Sequence, residues 1–179
     1  MVKDSSVFKF SLSDLDKAFG RGGEEQEKKT KEEKFLRSKF KEWELPDNTP
    51  VELTANTLAT IITNPGGTQE LVKWAERLGT ILKSLQLTSS QIRNIFGTVR
   101  KIEMRWTSKD TEDERREAIR RLLLLKPRLA YQAKREKPVE WLEKVLSAAI
   151  DQVDSRANFQ RFVDFFEAIL AYHTYAGGQ

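Results

Sequence analysis

The sequence contains no cysteine and one histidine, His173, which excludes disulfides, Cys-ligated metals and multi-histidine zinc sites. No stretch approaches the ~18 consecutive apolar residues of a membrane-spanning helix. The opening residues, Met1-Val2-Lys3-Asp4-Ser5-Ser6, lack the apolar core of a secretory signal, so a cytoplasmic protein is expected. Catalytic signatures are missing as well: there is no phosphate-cradling glycine loop ending in Lys-Ser/Thr, no Gly-x-Ser-x-Gly elbow and no repeated acidic motif for a metal pair. Enzyme activity, a cofactor and a bound metal are therefore not expected. Strand-like alternation with hairpin turns is not apparent anywhere, which predicts an all-α chain.

What is abundant is charge, and it is unevenly spread. Residues 1–66 carry 11 Lys+Arg against 12 Asp+Glu. Gln91 to Lys137 carries 14 against 7, whereas Pro138 to Gln179 carries 3 against 6. The excess of positive charge is thus confined to one segment, the asymmetry of a polyanion-binding surface.

That segment begins with a well-specified helix start. Thr88 and Gln91 form a capping-box pattern, flanked by Leu87 and Ile92 at hydrophobic-staple positions. Ile92, Ile95, Phe96, Val99, Ile102 and Trp106 then follow three-and-four spacing, with Arg93 and Arg100 seven apart on one flank. A second capping box, Thr111 with Glu114, opens the next helix, whose buried stripe is Ala118, Leu122, Leu125, Leu129 and Ala133. Pro127 inside it predicts a kink or a break after Leu125. Upstream, Leu71 to Leu85 gives a further amphipathic helix. Downstream, one helix starts at Pro138 and another at Ser155, the latter closed by Gly177-Gly178. The expected fold is a compact antiparallel bundle of about five main helices over residues 66–179. Residues 1–65 read as a charged, partly helical or flexible extension. Gly20-Arg21-Gly22-Gly23 is a break in it, Phe35, Leu36, Phe40 and Trp43 mark one helix, and Leu53, Leu58, Ile61 and Ile62 mark another.

Candidate functional residues follow from the charge. Arg93, Arg100, Lys101, Arg120, Arg121, Lys126, Arg128, Lys134 and Arg135 cluster on two consecutive helices, and arginine both forks onto phosphate and lies flat on bases. Tyr131 is placed either to stack on a base or to pack. The remaining signals have plainer readings. His173 lies on an apolar stripe and reads as a hydrogen-bonded core residue, Asp151 and Asp154 as a solvated acidic face, and the phenylalanines of the last helix as core. A nucleic-acid-binding helical protein is the first reading. A helix-turn-helix-like DNA regulator using Thr88 to Phe96 and a helical adaptor are the alternatives.

Three motifs in order add a resemblance: Leu87-Thr88-Ser89-Ser90-Gln91-Ile92-Arg93, Leu125-Lys126-Pro127-Arg128-Leu129-Ala130-Tyr131, and Phe162-Val163-Asp164-Phe165-Phe166-Glu167-Ala168-Ile169-Leu170-Ala171-Tyr172-His173. Over Gln69 to Gly178 the chain resembles the small helical subunit of type III-A (Csm-type) CRISPR interference complexes, while the first 65 residues do not. The resemblance implies a non-catalytic subunit, stacked in several copies beside the backbone subunit, that contacts crRNA and target RNA. Its further partners would be the backbone and large subunits and other small-subunit copies, with no membrane involved. By motif position it implies Arg93, Lys126, Arg128 and Arg135 as RNA contacts.

Overall fold

In the computed structural model, residues 5–19, 26–46 and 49–177 are described, the side chains of 26–30 excepted. The expected glycine break at 20–23 and the terminal Gly178 lie outside them. The elements run β1 (Ser6–Phe10), α1 (Leu12–Ala18), α2 (Gln26–Glu42), β2 (Val51–Thr54), α3 (Ala55–Thr63), α4 (Thr68–Ser84), α5 (Ser89–Arg105), α6 (Glu112–Arg135), α7 (Lys137–Ile150) and α8 (Arg156–Tyr175). The fold is mostly α-helical, and α4 to α8 are the five main helices of the bundle.

Helix α8 is central. Its Phe159, Phe162, Val163, Phe165, Phe166 and Ile169 are buried, and it packs on α3, α4 and α5. The α4–α8 approach is close because Gly79 lacks a side chain: a Cβ there would lie 2.7 Å from both the Ile169 carbonyl oxygen and the His173 amide nitrogen. At the start of α8, Ser155 caps the Asn158 amide as its sequence position predicts, and the Phe159 ring stacks on Trp106 at 5.2 Å. Helix α7 buries Leu142, Val145, Leu146 and Ala149 and is the main partner of α6.

Three expectations need correction. Strands do occur: β1 and β2 pair antiparallel with Phe8 opposite Leu53 and Phe10 opposite Val51, so Leu53 belongs to a strand rather than a helix. Their buried side chains alternate, but each strand is short, and the pair spans an intervening helical region that no hairpin turn announces. Second, α6 is not broken at Pro127. Proline leaves the Leu123 carbonyl without its amide donor. Leu123 and Pro127 both lie on the exposed side, the side on which an unpaired carbonyl is open to solvent and a proline is tolerated. Third, Thr111 caps the Glu114 amide at 3.3 Å, but the Glu114 carboxylate accepts from the Thr107 hydroxyl at 2.8 Å instead of closing the box.

The first 65 residues contribute to the same core. Phe8 and Phe10 meet the Trp141 ring of α7 edge-on, each at 5.5 Å, and Leu58, Ile61 and Ile62 of α3 are buried. Arg161 of α8 donates to the Ile62 carbonyl at 2.9 Å, tying the end of α3 to the bundle. Leu36 and Phe40 of α2 are buried, while Phe35 is turned outward.

Candidate nucleic-acid interface

Helix α5 is set in place from its first turn. The Thr88 hydroxyl accepts from the Gln91 amide at 3.2 Å and the Gln91 side-chain oxygen accepts from the Thr88 amide at 2.8 Å, so the predicted capping box is complete. Just before it, the Leu87 carbonyl accepts from Nε2–H of His173 at 2.7 Å. His173 is fully buried, and burial drives its pKa below the ordinary histidine value, with the Lys83 and Arg93 charges pushing the same way. A neutral imidazole pinning the entry to α5 is its role, in line with the core histidine expected.

With Ile92, Ile95, Val99 and Ile102 buried, the charged positions of α5 split between two flanks. The side-chain nitrogen of Gln91 donates to Glu136, just past the end of α6, so one side of α5 faces α6. Two residues on, at about 200° around the helix, Arg93 lies on the other side. Arg100 shares it, its guanidinium 6.0 Å from the Phe96 ring, which meets Phe166 of α8. Lys101 and Arg105 lie on the α6 side by the same helical arithmetic. On α6, Ala118, Leu122, Leu125 and Leu129 are buried. Arg121, Arg128 and Arg135, each seven residues apart, form a line along the edge nearest α5, whereas Lys126 turns to α7 and reaches Asp151 at 2.6 Å.

The predicted contacts therefore do not form one sheet of charge, and they differ in availability. Arg100 pairs with Glu103, Lys126 with Asp151, and Arg120 and Arg121 both with Glu117. The two guanidinium hydrogen bonds pull the Glu117 pKa down to about 2, so it remains an anion across the whole working range. Arg93, Lys101, Arg128, Lys134 and Arg135 are exposed and have no carboxylate within ion-pair distance among the described residues. On the α5–α6 side, the cations free to meet an external anion are Lys101, Arg105, Arg128 and Arg135.

Two clefts flank this line. One, of about 270 Å³, is lined by Ile102, Arg105 and Trp106 against Glu117, Ala118 and Arg121. The other, of about 510 Å³, is lined by Pro127, Arg128, Tyr131, Gln132, Arg135 and Glu136. In the second, Tyr131 is 64% exposed, and the Arg135 guanidinium sits 5.7 Å from its ring centroid. Tyr131 does not pack into the core; its ring lies open on the surface. Glu136 was not foreseen, because it lies beyond the helical repeat and enters through a bond to a residue 45 positions away. No cluster of metal-ligating side chains and no helix long and apolar enough to cross a membrane occurs among the described residues.

The model of the Csm2 type III-A family matches residues 67–179, nearly two-thirds of the chain. The chain belongs to the Csm2 family. It is a small subunit of a type III-A CRISPR complex, a structural component of a multi-subunit assembly. No curated protein and no solved structure matches it significantly. The family match begins within the Gly66-Gly67 turn, so β1 to α3 lie outside it while α4 to α8, with the whole basic segment, lie inside.

Proposed function

We propose that this Csm2 subunit is non-catalytic and holds crRNA-paired target RNA, or the target strand beside it, along the α5–α6 side of the bundle. The observation that carries this reading is the row of cations without internal partners, Lys101, Arg105, Arg128 and Arg135, on two helices inside the family-matched region. Pairing with a guide already selects the sequence, so the subunit needs only to follow ribose and phosphate, for which exposed charge at helical spacing suffices. Residues 66–179 are the unit that performs this role, and residues 1–65 are an addition that completes the core.

A fluorescence-anisotropy titration of the full chain tests the reading, with single-stranded RNA and a guide–target RNA duplex as probes. Replacing Lys101, Arg128 and Arg135 together by Ala is expected to weaken binding about 100-fold near 0.1 M salt, each lost phosphate contact costing about fivefold. Replacing Arg93 and Arg100 is expected to do less, since they lie on the flank of α5 next to α8. Unchanged RNA affinity in the folded triple variant removes the proposal. Selection of one duplex DNA sequence over random duplex supports the DNA-regulator reading instead.

A further inference from the structure

The cleft at the end of α6 is more than a patch of charge, because it combines an open aromatic ring, two guanidiniums and two hydrogen-bonding side chains in one concavity. We propose that this cleft receives a single unstacked nucleotide of the bound RNA, its base on the Tyr131 ring and its phosphate between Arg128 and Arg135. The proposal rests on the RNA-binding reading and names the part of the RNA that this end of the surface takes.

Size is the first support. At about 510 Å³ the cleft falls within the ~300–1,000 Å³ range of small-ligand sites, room enough for one nucleotide. Ring placement is the second. Arg135 lies against Tyr131, and a ring 64% exposed retains an open face, so a base added there continues the series guanidinium, ring, base. Aromatic rings and arginine planes are what hold splayed-out RNA bases. Electrostatics orients the guest. Arg128 and Arg135 have no internal carboxylate partner among the described residues, whereas Glu136 brings a negative charge to the end of the cleft beside Gln132. A phosphate is repelled from that end and attracted to the arginines. The base edge, with its amino and imino donors, is the part that can face Gln132 and Glu136. Rigidity is the last support: Gln91, already held in the α5 capping box, donates to Glu136, so the cleft wall is braced from a second helix.

The test compares two RNA duplexes that differ by a single-nucleotide bulge, titrated with the full chain and with Tyr131→Ala and Tyr131→Phe. The bulge carries 2-aminopurine, whose emission reports stacking. The wild-type chain is expected to bind the bulged duplex about tenfold more tightly than the plain one and to quench the probe, the effect of gaining one base–ring stack. Tyr131→Ala should remove that preference and the quenching, and Tyr131→Phe should retain both. Equal binding of the two duplexes by the wild type, or equal weakening of both by Tyr131→Ala, overturns the nucleotide site and leaves the RNA-binding surface standing. Binding of neither duplex at low salt overturns the RNA-binding reading itself, and the nucleotide site with it.

Discussion

Glu117→Gln should increase RNA affinity, an outcome opposite to that of most substitutions in a binding surface. The Glu117 carboxylate accepts from Arg120 at 2.9 and 3.2 Å and from Arg121 at 2.5 Å, so one anion occupies two guanidiniums. Both cations stand in the segment proposed to follow RNA. An amide in place of the carboxylate releases them without changing side-chain length. On a single strand each phosphate contact displaces about 0.7 counterion, so one or two new contacts steepen the slope of log K against log salt by about 0.7 to 1.4. If a contact is taken as neutral at 1 M salt, this corresponds to about 5- to 25-fold tighter binding near 0.1 M. Folding stability should hardly change, because exposed ion pairs contribute little. The assay is anisotropy with single-stranded RNA at four or five salt concentrations, with a thermal melt as control. An unchanged slope and unchanged affinity, with the melt intact, would refute the reasoning that internal pairing withholds these arginines from RNA.

Other perturbations probe the frame that carries the surface. Gly79→Ala puts a methyl 2.7 Å from backbone atoms of α8 and should cost about 1–3 kcal/mol, read as a lower urea midpoint with an unchanged slope. Thr88→Ala removes the hydroxyl that caps α5 and should cost about 1 kcal/mol, while Thr88→Ser should restore most of it. His173 gives a pH signature. Its folded pKa lies below the ordinary value of 6.5, and Lys83 from α4 and Arg93 from α5 face it. Above that pH the ring is neutral in both states. As the pH falls through about 6.5 the unfolded chain takes up a proton that the folded chain refuses, so stability declines until the folded pKa is also passed. Because His173 is the single histidine, the decline in urea midpoint between pH 7 and 5.5 should vanish in His173→Asn, and a flat wild-type profile over that window would contradict the assignment.

How much was legible in the sequence depended on the distance over which each feature is encoded. The α5 capping box lies within four residues and was readable in full, and the stripes of α5 and α6 were readable in most positions, Phe96 and Ala133 being only partly buried. Glu114 shows the limit even of local rules, because Thr107, seven residues back, takes its carboxylate from the expected box. The β1–β2 pair was missed since neither short strand carries a signal of its own and each is completed by the other and by Trp141. At the candidate surface, residue type and spacing found the arginines, but not their availability. Arg100 and Lys126 look equivalent to Arg128 and Arg135 in the sequence. Only the fold shows that Glu103 and Asp151 occupy the first two.

The β1–β2 ribbon also bears on the order in which the chain is assembled. The strand pairing joins residues about 45 positions apart, and the Trp141 ring that covers Phe8 and Phe10 lies more than 130 positions beyond them. Contacts this distant in sequence form late, after the loop between them has closed. Phe8 and Phe10 are thus among the last residues to be placed, uncovered until α7 packs against the ribbon.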